Sequence, residues 1–175
     1  MAVTCIPILY GNHMKKLIIL LSFSCLLLAC GLQQSRVPQE HDIHRVVSEL
    51  TEAWENKDAK RWAKHFAEDA DWIVWFGQTF SGRDTVAAVM DFIWNDFYAD
   101  THAVIEVAKI RFIEDNVAVV HLNFSIVDAK GDLPSRPTTV PVMVMQNNGS
   151  EWEILMFQST RNLIEERSKN GDARL

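Results

Sequence analysis

The chain has 175 residues, with 17 Lys and Arg against 23 Asp and Glu and a formal net charge of −6. That length suits one domain around a single core. An acidic chain without a basic stripe is a poor partner for nucleic acid or anionic headgroups, so neither is expected to bind.

The first elements concern export. Met14-Lys15-Lys16 is a short cationic start, and the apolar run from Leu17 to Ala29 is too short for a spanning helix, which needs about 20 residues. A positive start, a short apolar stretch and small residues at its end read as a cleavable export signal. The ending Leu27-Leu28-Ala29-Cys30 resembles the lipobox of bacterial lipoproteins. That resemblance implies that Cys30 is diacylated, becomes the N-terminus and holds the protein at a membrane. With Gly31 next, it implies the outer membrane of a Gram-negative host, facing the periplasm. Met14 is the better start, which makes 1–13 an over-extended beginning. Cys5 and Cys25 leave with the signal, so no disulfide can form within one mature chain and no thiol nucleophile is expected. The expected organisation is a signal over 1–29, a lipidated tether over 30–41, one domain over 42–164 and a polar tail over 165–175.

Within the domain, Ile43, Val46, Val47, Leu50 and Trp54 form one stripe of a helix. Asn56-Lys57-Asp58 breaks it, and Asp58 can cap a second helix with Ala59, Trp62, Ala63 and Phe66 inward. Asp71 to Phe80, interrupted by Gly77, predicts two short strands or a bent one. Ser81-Gly82-Arg83-Asp84 has capping-box spacing with Asp for Glu, and opens a helix with Val86, Val89, Met90, Ile93, Trp94 and Phe97 on its stripe. The pattern then shifts to strands over Ala103–Ile113, Val117–Val127, Thr138–Gln146 and Trp152–Arg161. Glu114-Asp115-Asn116, Ala129-Lys130-Gly131-Asp132 and Asn147-Asn148-Gly149-Ser150 mark the turns between them. Helices followed by an antiparallel meander predict an α+β fold.

The segments Glu52–Ala59 and His65–Trp72 resemble the opening of NTF2-like (SnoaL-like) domains, and Ser81-Gly82-Arg83-Asp84 resembles their helix start. Trp152-Glu153-Ile154 with Phe157-Gln158-Ser159-Thr160-Arg161 is similar to the ending of the SgcJ/EcaC subgroup, with Ser159 in place of Asn. The resemblance implies a cone, in which N-terminal helices pack in a strongly curved antiparallel sheet around an open pocket. It also implies homodimers across the outer sheet face. Ketosteroid isomerases share the cone. Laid on this chain, their oxyanion tyrosine falls on Leu50, their general-base aspartate on Val74 and their proton-holding aspartate on Met143. Aliphatic and thioether side chains cannot do that chemistry.

Alternation places Val117, Val119, His121, Asn123 and Ser125 on one face of a strand, and Ala118, Val120, Leu122, Phe124 and Ile126 on the other. The resemblance turns the His121 face toward the pocket. The expected site is then a polar cluster of His121, Asn123, Gln158 and Thr160 at the bottom of an aromatic cup walled by Trp54, Trp72 and Met90. Such a site binds a small, largely apolar molecule. His121 is the candidate general base if the protein is an enzyme of SnoaL-like cyclase or SgcJ/EcaC type. A third reading, a structural envelope dimer, predicts a filled pocket. His41, Asp42 and His44, or His65, Glu68 and Asp69, have metal-ligand types but sit where no convergent set is expected, so no metal is assigned. Arg161 is expected to form a salt bridge with a carboxylate on a neighbouring strand. No phosphate loop, nucleophile elbow, nicotinamide or flavin fingerprint is present in the sequence, and no cofactor is expected.

Overall fold

The computed structural model describes residues 36–127 and 138–163, with side chains described from residue 39. The signal, Cys30, the start of its tether, the Ala129–Asp132 turn and the polar tail lie outside the described residues. The first helix, α1 (Arg36–Asn56), begins inside the stretch expected to be tether. Its stripe of Ile43, Val46, Val47, Leu50, Ala53 and Trp54 is buried. The helix stops where Lys57 takes the left-handed conformation at φ 52°. The Lys57 N–H donates to Trp54 O and the Asp58 N–H to Ala53 O, which satisfies two carbonyls of the last turn. Asp58 then caps α2 (Ala59–Ala63), its Oδ1 accepting from the Arg61 N–H at 2.9 Å. The second helix is thus capped as expected but is a single turn, and Phe66 opens the first strand instead of closing the helix.

The remaining elements are β1 (Phe66–Ile73), β2 (Thr79–Ser81), α3 (Arg83–Asp96), β3 (His102–Glu114), β4 (Val117–Val127), β5 (Val142–Asn147) and β6 (Trp152–Gln158). They give the expected α+β class, with helices packed against a curved sheet of order β2-β1-β6-β5-β4-β3. The meander from β3 to β6 is antiparallel. β1 joins β6 in parallel, so the sheet is mixed, not wholly antiparallel as expected. The long connection through β2, α3 and the meander permits that pairing, which a tight turn cannot make.

Bulges set which side chains face inward. In β3, Val107 pairs with Leu122 and Lys109 with His121, leaving Ala108 as an extra residue. Inward positions therefore change phase from Ala103, Ile105 and Val107 to Ile110 and Phe112. A second bulge in β6 falls at Leu155, because Ile154 pairs with Met145 and Met156 with Val144. One end of the inner face is filled, with Phe112 against Trp152 at 6.0 Å between ring centroids.

Gly82 is the N-cap of α3, at φ 91° and ψ 141°, and no side chain caps this helix. The expected capping role of Ser81 is not realised, since its hydroxyl lies 2.6 Å from Asp71 Oδ1 instead. Gly82 donates its N–H to Ala70 O at 2.8 Å, and a Cβ there would stand 3.4 Å from Glu68 O. Arg83, next in sequence, donates from Nε to Phe66 O at 2.6 Å and from Nη2 to Glu153 Oε1 at 3.1 Å. Gly82→Ala should therefore destabilise the fold by about 1–3 kcal/mol, the cost of forcing a side chain into this backbone region. A thermal melt unchanged from wild type would contradict the reading.

His65 is buried beside Glu49, with Nε2 3.2 Å from Oε2 but without an aligned hydrogen bond. Burial pushes its imidazole down to about 4 from the ordinary 6.5; Lys64 acts in the same direction and Glu49 opposes it. Between about pH 6.5 and pH 4 the unfolded chain binds a proton here that the folded chain does not. Stability should thus be whole above pH 6.5 and decline as pH falls to 4, by at most about 3 kcal/mol. Chemical denaturation across that range should show a shallower decline for His65→Gln; equal slopes in both proteins would refute the assignment.

Candidate functional site

The inner face of the sheet is open where β1, β4 and β6 reach their C-terminal ends. A cavity of about 670 Å³ lies there. Its buried surface comes from Trp54 of α1, Trp62 of α2, Trp72 and Val74 at the end of β1, Met90 of α3, Phe124 of β4 and Phe157 at the end of β6. Phe80, Val89, Ile93, Tyr98 and Ile126 extend the wall, and exposed Trp75, Phe76, Phe92 and Phe97 form the mouth.

The helices are held around this hollow by rings in contact. Trp54 packs on Trp62, Trp94, Tyr98 and Phe124 with centroids 5.2–6.1 Å apart, three of them edge-to-face and Tyr98 tilted. Its indole N–H donates to Thr101 Oγ1 at 3.3 Å. Thr101 also accepts at its carbonyl from Lys57 Nζ, at 2.5 Å, and donates its hydroxyl to Tyr98 O at 2.8 Å. Glu55 accepts the Ala103 N–H at 2.9 Å and lies 2.5 Å from His102 Nδ1. The end of α1 is in this way fixed to the start of β3 and the turn after α3.

Chemically the cavity is almost bare of polar function. Gln78, Thr85, Tyr98, Thr139 and Ser159 supply one amide and four hydroxyls. Among the described lining residues there is no carboxylate, imidazole, amine, guanidinium or thiol. Among the described residues no three His, Cys, Asp or Glu side chains converge on a point that could hold a metal ion. Leu50, Val74 and Met143, the positions of the isomerase acids and tyrosine, are all buried, and Val74 lines the cavity.

Of the expected site residues, Trp54, Trp72 and Met90 do line the hollow. His121, Asn123, Gln158 and Thr160 do not, and this corrects the expectation of a polar floor. His121 is exposed on the outer face of β4, because burial selects the Ala118, Val120, Leu122 and Phe124 face for the core. Asn123, paired with Glu106 across the β3–β4 ladder, shares the outer face. Gln158 and Thr160 would have shared the inward face with Trp152 and Ile154 in a regular strand. The extra residue at Leu155 reverses the phase, so Phe157 and Ser159 point in while Gln158 and Thr160 are exposed. Nor do His121 and Gln158 meet. Both pair with Val142, from opposite sides, which sets their strands roughly 9–10 Å apart. His121 as a general base within the pocket is likewise corrected, as is a filled pocket. Arg161 stacks its guanidinium 4.9 Å from the Trp75 ring centroid at the mouth. Trp62, Phe124, Phe157 and the four exposed rings were missed. The purely apolar face of β4 was the signal that pointed to Phe124.

No curated protein matches the sequence. Among solved structures, the chain is similar to a domain of unknown function with a cystatin-like fold from Nostoc punctiforme, at 24% identity and a TM-score of 0.68, covering 76% of this chain and 83% of that one. It is also similar to an NTF2-like protein with a cystatin-like fold from Novosphingobium aromaticivorans, at 16% identity and 0.65, covering 85% and 96%. A third similar structure is the hexachlorocyclohexane dehydrochlorinase LinA-type3 from Novosphingobium barchaimii, at 14% identity and 0.60, covering 74% and 90%. The pattern of the SnoaL-like domain matches residues 47–146, from the middle of α1 to the penultimate residue of β5, and the chain belongs to the SnoaL-like domain family.

Proposed function

We propose that this protein is a membrane-anchored binding module that holds a small, uncharged, largely apolar molecule in its aromatic cavity. The observation that carries the reading is the composition of the hollow, in which rings and aliphatic groups surround a volume suited to a small ligand. An ionised ligand group placed deep in the cavity, away from the Arg161 guanidinium over Trp75 at the mouth, finds no opposite charge among the described lining residues, and burying it unpaired is costly. Neutral hydroxyl and amide groups at Gln78, Thr139 and Ser159 can orient one polar end of such a molecule. A fold neighbour named for hexachlorocyclohexane, itself uncharged and apolar, is in keeping with that class. The enzymatic alternative has lost its base, because His121 is outside the cavity; Tyr98 is the ionisable side chain in the described lining.

The anchor in this proposal is the lipid on Cys30, supported by the sequence from Met14 to Cys30, with the domain at the outer membrane facing the periplasm. Among the described residues no helix is long and apolar enough to cross a membrane. The proposed homodimer uses the outer sheet face. There Val119, Val144 and Met156 form a half-buried apolar row across three strands, with His121, Val142 and Gln158 in the adjoining row.

The test is native mass spectrometry of the protein purified from its own envelope, which should show a retained small apolar molecule. Ala88→Trp places a bulky ring at an exposed lining position, and should lower retention at least about tenfold, the equivalent of roughly 1.4 kcal/mol. His121→Ala should leave retention unchanged. Wild-type protein that carries no ligand and takes up no apolar dye would overturn the proposal.

A further inference from the structure

Large apolar side chains that stay exposed are not scattered evenly over this domain. Among the described residues the exposed aromatic ones are Trp75 (49%), Phe76 (60%), Phe92 (56%) and Phe97 (67%), and all four belong to the cavity mouth. Exposed aliphatic residues such as Val104, Ile113 and Leu163 lie elsewhere. The rings form two pairs on separate lips. Trp75 meets Phe76 edge-to-face at 5.1 Å on the turn between β1 and β2, and Phe92 meets Phe97 at 5.8 Å on the end of α3. An apolar surface that continues from an exposed rim into an apolar hollow marks an interaction site.

We infer that this rim docks into the interfacial layer of a zwitterionic lipid bilayer, so that the ligand passes between membrane and cavity without crossing water. The inference rests on the binding reading for its ligand, but adds the surface and its partner. Trp75 suits that layer, where the apolar body of an indole meets hydrocarbon and its N–H edge remains wet, and the Phe rings supply apolar surface for the boundary between headgroups and acyl chains. Charge selects the headgroup. Asp91, Asp96 and Asp100 stand beside Phe92 and Phe97 in the sequence, and the last turn of α3 carries no basic residue. This lip repels anionic headgroups and accepts the ammonium of phosphatidylethanolamine, while the other lip carries the Arg161 guanidinium over Trp75, so that both signs of a zwitterionic headgroup are met. The chain outside the described residues points the same way. From Cys30 to the start of α1 at Arg36 the backbone reaches about 20 Å at most, so a lipid on Cys30 keeps the domain at the membrane surface.

The test uses the full chain as purified from its envelope, mixed with vesicles of phosphatidylethanolamine and phosphatidylcholine bearing brominated acyl chains. Bromine quenches nearby indoles, and the expected result is quenching that is largely lost in Trp75→Phe and reduced in Phe76→Ser and Phe97→Ser. Replacing part of the lipid with phosphatidylglycerol should weaken it. Quenching that is equal in wild type and Trp75→Phe, or that rises with phosphatidylglycerol, would overturn the inference. So would a Trp75 signal shielded without vesicles as protein concentration rises, which would indicate pairing of two copies. An apolar dye in vesicle-free buffer reads the cavity independently, so a failed rim and a failed binding site give different results.

Discussion

The edge-to-face packing around Trp54 is the interaction on which this structure depends. One indole touches Trp62 of α2, Trp94 of α3, Tyr98 beyond it and Phe124 of β4, and so joins all three helices to the sheet. Rings that meet edge to face hold a larger separation than interdigitated aliphatic chains. The indole nitrogens of Trp62 and Trp94 are buried and have no hydrogen-bond partner among the described residues. The helices thus stand away from the sheet at one end, and the hollow bounded by Trp54, Trp62 and Phe124 is a consequence of that spacing. At the other end Phe112, Trp152, Met145 and Ile154 close the core.

Backbone connections make the arrangement specific. Lys57 and Asp58 together end one helix and start the next, which turns Trp54 and Trp62 toward a common centre. Thr101 receives Trp54 and Lys57 while binding Tyr98, so the wall and the first residues of the meander cannot shift independently. Burial holds the Lys57 ammonium below its usual range, opposed by Glu55 and Asp100. Gly82 and Arg83 perform the corresponding task for α3, tying it to β1 and to β6.

The two faces of the sheet divide the chemistry of the protein. The concave face is apolar and hollow. The outer face carries His121, Asn123 and Gln158, next to the aliphatic row proposed to pair two copies. Membership of the SnoaL-like family accounts for the shape, while the side chains lining the cavity decide what it accepts. Among the described residues these are aromatic and aliphatic groups with a few hydroxyls and one amide.

Periodicity alone determined much of this fold. The stripes of α1 and α3, the cap at Asp58, the span of β4 and the turn around Gly149 each follow from hydrophobic spacing or local backbone chemistry, which act within a few residues. The walls at Trp54, Trp72 and Met90 were legible for the same reason. What only the tertiary structure decided was phase and direction. A bulge such as that at Leu155 is specified by the partner strand and not by the strand's own composition, yet one extra residue exchanged Gln158 and Thr160 for Phe157 and Ser159 at the cavity. The parallel pairing of β1 with β6 joins segments far apart in the chain and has no local signature. The inward face of β4 was set by the burial of its apolar side, which outweighs any tendency of polar residues to gather in a pocket.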